Sequence, residues 1–140
     1  MNVDRIASYG LWLLTSIFAL VALLCLTDPT VLLGAMEIGL DSPSAMAEVR
    51  AGYAGTFGGL AVLFAIGARQ SRMRRLALGI AAIVLGLFTL GRLLSMALDG
   101  APNTLAFFNH ALEAMGFVVA LALWKALPAH AEGPDSDEGP

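Results

Sequence analysis

The sequence predicts an all-α fold: an integral membrane four-helix bundle with both termini in the cytoplasm. Three observations predict it. Mean hydropathy is +0.77, and 58% of the residues are hydrophobic. Charged residues make up only 14% of the chain, against roughly 25% in soluble domains. Those charges are also segregated. None occurs between Arg5 and Asp28, between Arg50 and Arg69, or between Arg75 and Arg92, and between Asp99 and Lys125 the only formal charge is Glu113. Crossing hydrocarbon takes about 20 predominantly apolar residues, so each run can span a bilayer.

The first helix covers about residues 6–26 and stops at Asp28-Pro29. The second covers about residues 43–68, with Ser42 as N-cap and Pro43 at the first helical position. The third covers about 76–98 and the fourth about 102–127, before Pro128. Together they make one transmembrane domain over about residues 1–128. A tail over 129–140 carries Glu132, Asp135, Asp137 and Glu138 among Gly, Pro and Ser. That composition cannot bury a core, and disorder is expected there. Between the first two long helices, Val31, Leu32, Leu33 and Met36 suggest a short interfacial helix opened by Asp28 as cap and Pro29. An ordinary lid over the bundle end is the simpler reading of it, and a gate the sharper one.

Orientation follows from the arginines. Arg69, Arg72, Arg74 and Arg75 fall in the loop expected between the second and third helices, while the opposite loops contain no Lys or Arg. The positive-inside rule puts the arginine-rich loop in the cytoplasm. The lone Cys25 excludes an intrachain disulfide and reads as an inert small hydrophobe. Leu24 before Cys25 argues against a lipoprotein site, and the first apolar run is too long for a cleaved signal peptide. A net charge of −3 argues against nucleic acid. No cofactor is expected. Nor is a metal, since one His and one Glu within the apolar helices do not make a ligand set.

Small residues line two helices. Ala51, Gly55 and Gly59 repeat every four residues on the second, and Gly79, Ala82 and Gly86 share a face of the third. Such stripes let backbones approach closely in lipid. Packing between these two helices is the expected use. A homo-oligomer face or a dock for a membrane-complex partner is the alternative.

The polar residues inside the apolar helices are the candidate site. An ionisable group at a helix centre costs about 2.5–3.5 kcal/mol on insertion scales, which makes Arg92 and Glu113 a functional hypothesis. With a turn at Gly100 and Ala101, Arg92 lies about 12 Å along its helix at 1.5 Å per residue. Asn109 and His110 reach nearly the same depth on the fourth helix, and Glu113 is one turn deeper. Arg92, Ser95 and Asp99 share one face, as do Asn109, His110 and Glu113. Glu48, Arg50 and Tyr53 approach from the same end of the second helix. Three functions compete for this cluster. One is a cavity binding a small amphipathic or lipid-like ligand, with Arg92 and Glu113 as anchors. The second is a structural ion pair, in a protein serving as accessory or structural subunit of a larger membrane complex. The third is proton-coupled transport or intramembrane acid–base catalysis through His110 and Glu113. Arginine pairing suits Glu113 poorly to proton exchange, so an enzyme is not favoured.

The ordered set Glu48-Val49-Arg50-Ala51-Gly52-Tyr53-Ala54-Gly55, Leu90-Gly91-Arg92, Asp99-Gly100-Ala101-Pro102 and Glu113 resembles the bacterial family catalogued as domain of unknown function 4345. The resemblance covers about residues 47–123. It implies a compact four-helix protein of the bacterial inner membrane with no assigned activity. It also implies that Glu48, Arg50, Arg92, Asp99 and Glu113 belong together. The plan is similar to that of the wider DoxX-like group, by architecture alone. Ala54 departs from the pattern, which has glycine after the tyrosine.

Overall fold

A computed structural model of the protein describes residues 2–128; the acidic tail expected over 129–140 lies outside the described residues. Those residues form helices and no strand. The first helix, α1, spans Val3–Thr27. Asn2 caps it, its side chain accepting from the Asp4 N–H at 3.1 Å. Thr15, Ser16 and Thr27 donate their hydroxyls to the carbonyls of Leu11, Trp12 and Leu23 one turn back. Each polar side chain is thus satisfied within its own helix, as an apolar surrounding requires.

The short helix α2, Pro29–Ala35, opens on Asp28, whose carboxylate accepts from the Thr30 backbone N–H and hydroxyl. The long helix α3, Pro43–Arg69, is capped by Ser42, which accepts from the Ala45 N–H at 3.1 Å. Its middle segment, Val49–Ala54, is π-helical. Such a segment holds an extra residue per turn, so it rotates Glu48 and its neighbours relative to the rest of α3. The next helix, α4, runs Ser71–Asp99, and α5 runs Thr104–Ala126. Asn103 caps α5 by accepting from the Ala106 N–H at 2.9 Å. Gly100, at φ +99°, occupies the left-handed turn between them, a conformation that glycine adopts without strain. All four long helices are long and apolar enough to cross a membrane.

The expected arginine loop is not a loop. A single residue, Gln70, joins α3 to α4. Arg69 ends α3, and Arg72, Arg74 and Arg75 stand in the first turns of α4. Arginine is a good helix former, so charge alone did not mark a break. This end also holds a polar cluster within the bundle. Arg74 is 6% exposed. It donates to Asp4 Oδ2 at 2.5 Å and to the Ala68 carbonyl at 2.8 Å. Ser8 donates to the same carbonyl at 2.8 Å. These bonds fasten α1, α3 and α4 together. On the flanks, Arg69 lies over the Trp12 ring and Arg75 over the Trp124 ring.

In the bundle, α1 packs on α3, α3 on α4 and α4 on α5, while α1 and α5 touch sparsely. The main core contains Leu11, Phe64, Leu78 and Leu85, with alanines 61, 77, 81 and 82 allowing close approach. A second, smaller core near α2 contains Cys25, Leu33, Val49 and Ala54. The glycines do not pair α3 with α4 as expected. Gly79 packs against Trp124 and Gly86 against Phe117, both on α5. Gly55 and Gly59 face open space. The tight approach of α3 to α4 is at Gly67 instead, where an added Cβ would lie 2.3 Å from the Ala77 Cβ.

Two expected outcomes follow for thermal unfolding in mild detergent. Gly67→Ala should destabilise by about 1–3 kcal/mol through overpacking, whereas Gly55→Ala should be neutral or slightly stabilising. Equal behaviour of the two variants would contradict the packing described. Arg74→Ala should cost about 2 kcal/mol or more, since it removes a buried, bonded charge. Arg72→Ala, at an exposed position, should stay within about 0.5 kcal/mol of the parent.

Candidate functional site

A cavity of about 370 Å³ lies inside the bundle on the flank where α1 and α5 diverge. The α1 wall runs from Gly10 to Val21, a length of about 16 Å at 1.5 Å per residue. The facing α5 wall runs from Asn109 to Leu123. Gly10 and Leu123 close one end, where a Cβ on the glycine would meet the Leu123 side chain at 3.6 Å. The floor is Leu78, Leu85 and Phe88 on α4, with Phe57 on α3. Leu32 and Leu33 of α2, with Met36 just after it, cover the other end. Several lining residues, including Leu13, Ile17, Leu112, Met115 and Val119, are also exposed on the outside of the bundle. The cavity therefore opens sideways between α1 and α5.

Its walls are apolar except at the end near α2. There four polar side chains converge: Tyr53, Arg92, Asn109 and Glu113. Arg92 and Glu113 form a two-point ion pair, with Nε to Oε2 at 2.6 Å and Nη2 to Oε1 at 3.1 Å. Asn109 donates Nδ2 to Oε1 at 2.9 Å. The short turn at Gly100 makes α4 and α5 antiparallel neighbours, which brings Arg92 within reach of Glu113. The α-helical spacing of four residues brings Asn109 over Glu113. The Glu113 side chain is 13% exposed and that of Arg92 is 35% exposed. Two-point geometry and partial burial make this a stronger pair than an exposed one.

The other residues of the expected cluster stand elsewhere. His110 lies on the far side of Arg92, in a recess of about 80 Å³ shared with Ser95, Met96, Pro102 and Ala106. Its Nδ1 is buried without a hydrogen-bond partner, and no hydrogen bond joins it to Glu113 among the described residues. Asp99 accepts from the Ser95 hydroxyl at 3.0 Å. Arg50 donates Nε to the Leu26 carbonyl at 3.1 Å, linking the π-helical segment to the end of α1. Glu48 is exposed and does not line the cavity. Tyr53 does line it, with its ring 6.2 Å from that of Phe57. Among the described residues, no group of three or more His, Cys, Asp or Glu could hold a metal.

Sequence reasoning missed the apolar part of the site. The signal was present on α1: positions 10, 13, 14, 17, 18 and 21 form one helical stripe. Such a stripe ordinarily packs against another helix, so it did not announce a cavity.

The family described as a domain of unknown function (DUF4345) matches residues 6–124. The chain belongs to this family. The match takes in all four long helices, including α1, which the resemblance of the polar motifs alone did not reach. No curated protein and no solved structure matches the chain.

The ion pair gives a double-mutant test. Arg92→Leu alone strands Glu113 in a mostly buried position, and should destabilise by about 2–4 kcal/mol in detergent. Pairing that change with Glu113→Leu should recover at least half of the loss. Additive losses in thermal unfolding would show that the two side chains do not depend on each other.

Proposed function

We propose that the protein spans the bacterial inner membrane four times, with both termini in the cytoplasm, and binds a small amphipathic, lipid-like molecule in its cavity. The observation that carries the binding reading is the cavity's own polarity. It is a slot of apolar side chains ended by one polar group cluster, the pattern of an amphiphile with its chain along α1 and α5 and its head at Arg92, Asn109, Glu113 and Tyr53. Its volume of about 370 Å³ falls in the range of about 300–1,000 Å³ usual for small-molecule sites. Its side opening suits a ligand that arrives from within the hydrocarbon.

The membrane reading draws support from composition and placement. Leu13, Leu20, Leu23, Leu87, Leu94, Val118 and many other large apolar side chains are exposed on the long helices, which water would penalise and lipid would not. Apart from Asp4, paired with Arg74, and Arg50, beside the Leu26 carbonyl, charge near the helix ends divides by sign. Arg5, Arg69, Arg72, Arg74, Arg75 and Lys125 gather at the Gln70 end, and Asp28, Glu37, Asp41, Glu48 and Asp99 at the α2 end. The positive-inside rule sets the first group in the cytoplasm.

Native mass spectrometry of the protein in nanodiscs tests the binding reading. An amphiphile should survive release from the nanodisc with the parent chain and be lost from Ile17→Trp, whose indole would fill the slot. Parent and variant spectra with identical bound species would refute it. Topology is tested separately in a Cys25→Ser background. A membrane-impermeant thiol reagent applied to spheroplasts should label Ser42→Cys and spare Ser71→Cys, and the reverse pattern would invert the proposed orientation.

A further inference from the structure

We infer that the cavity selects an amphiphile with a neutral, hydrogen-bond-accepting headgroup, such as an ester or a hydroxyl, over an anionic one. The inference rests on the reading of the cavity as a binding site. It begins with what the apolar walls cannot do. An acyl chain moving from lipid tails into a slot of Leu, Ile and Phe exchanges one apolar surrounding for another and gains little. The chain sets the fit, and the polar end must supply the discrimination.

The hydrogen-bonding capacity left at that end is donor-rich and nearly uncharged. Both oxygens of Glu113 are engaged, Oε1 by Arg92 and Asn109 and Oε2 by Arg92. The Arg92 charge is matched by Glu113 at 2.6 Å. What remains is the Arg92 Nη1 amino group, the Tyr53 hydroxyl, the second N–H of Arg92 Nη2, and the second N–H and the side-chain oxygen of Asn109. Among the described residues, no hydrogen bond engages the first two. The donors among these groups can receive an oxygen that brings lone pairs, yet no unbalanced positive charge awaits an anion.

A carboxylate or phosphate would therefore meet an arginine already neutralised. It would give up its hydration to stand beside the Glu113 carboxylate, and an anion buried without a partner is heavily penalised. The surroundings add to this. Asp28, Glu37, Asp41, Glu48 and Asp99 lie at the same end of the bundle, where among the described residues the only other Lys or Arg is Arg50, and Arg50 is turned to the Leu26 carbonyl. Exposed charges at that range are partly screened by salt, so the neutralised Arg92 is the larger effect. An ester carbonyl or a hydroxyl takes the same donors without that penalty.

The test compares a monoacylglycerol with the free fatty acid of the same chain length. Both are titrated onto the protein in phosphatidylcholine nanodiscs at alkaline pH, where the acid is ionised, and read by native mass spectrometry. The monoacylglycerol should bind at least about tenfold more tightly, the worth of one or two net hydrogen bonds. In Glu113→Gln, which leaves the Arg92 charge unmatched, the preference should move toward the fatty acid by a similar factor. Equal or tighter binding of the acid to the parent chain overturns the inference and leaves the cavity reading standing. A Glu113→Gln preference identical to the parent's overturns it as well, because the ion pair would then not set the selection. Binding of neither compound overturns the cavity reading itself, and the inference falls with it. The parent-chain comparison decides the matter even where the variant folds poorly.

Discussion

The helix α5 is held to the rest of the bundle along one flank, and the cavity depends on that one-sidedness. At the Gln70 end, α1, α3 and α4 are fastened together by Arg74, Asp4, Ser8 and the Ala68 carbonyl. No residue of α5 takes part in that cluster. Instead α5 lies against α4, with Trp124 over Gly79 and Phe117 over Gly86. Where glycine supplies no side chain, the aromatic rings settle close to the α4 backbone, and α5 is drawn toward α4 and away from α1. The gap left between α1 and α5 becomes the slot. At its far end the Arg92–Glu113 pair joins the same two helices again. The pair is therefore part of what keeps the slot's wall upright and, on the same atoms, part of its polar end.

This double role bears on the choice between a structural ion pair and a binding site. Buried pairs cost several kcal/mol per ion in lost hydration, and apolar residues of similar volume often replace them with no loss of stability. Gluing α4 to α5 would not by itself call for such a pair, because packing at Gly79 and Gly86 already joins the two helices. A pair serving only as glue would also be expected to be closed on all sides. Here the Glu113 side is nearly enclosed while Arg92 is 35% exposed and lines both the cavity and the recess beyond it. The enclosed carboxylate fixes the guanidinium, and the guanidinium presents its remaining donors. On the proposed reading, that division of labour makes Arg92 a positioned binding group.

Much of this was legible in the residues, and the parts that were not have identifiable physical causes. Long charge-free runs mark the four long helices, because only helix length and hydropathy are needed to find them. Ser42-Pro43 marks the start of α3, and Asp28-Pro29 that of the short α2, through capping chemistry that is local in sequence. The meeting of Arg92 with Glu113 follows from a short turn and a fixed rise per residue. The failures are all of a different kind. Arg74 reads as one of four loop arginines, and only the tertiary meeting with Asp4, seventy positions away, makes it a buried clamp. Gly55 and Gly59 have the spacing of a packing face but look onto open space, while Ala51 falls in the π-helical turn, whose extra residue shifts it off their row, and residue spacing records neither. Glu48 and Asp99 join the polar cluster by depth alone. Depth is one coordinate, and the direction in which a side chain points around its helix is another.

The same distinction explains why the apolar stripe of α1 is the more telling half of the site. Polar residues in apolar helices draw notice because each one is costly, but they cannot say whether they face packing or space. The stripe from Gly10 to Val21 is ordinary by composition, and a fully packed partner would have consumed it. It is not consumed, since α5 is committed to α4. Exposed Leu13 and Ile17 therefore stand at the rim of a slot whose one polar end has an ion pair in place. On the proposed reading the slot faces hydrocarbon, where apolar walls offer a lipid chain little that the bilayer does not. Any choice among occupants would then fall to the polar end, to the groups that Arg92, Asn109 and Tyr53 have left after Glu113 is satisfied.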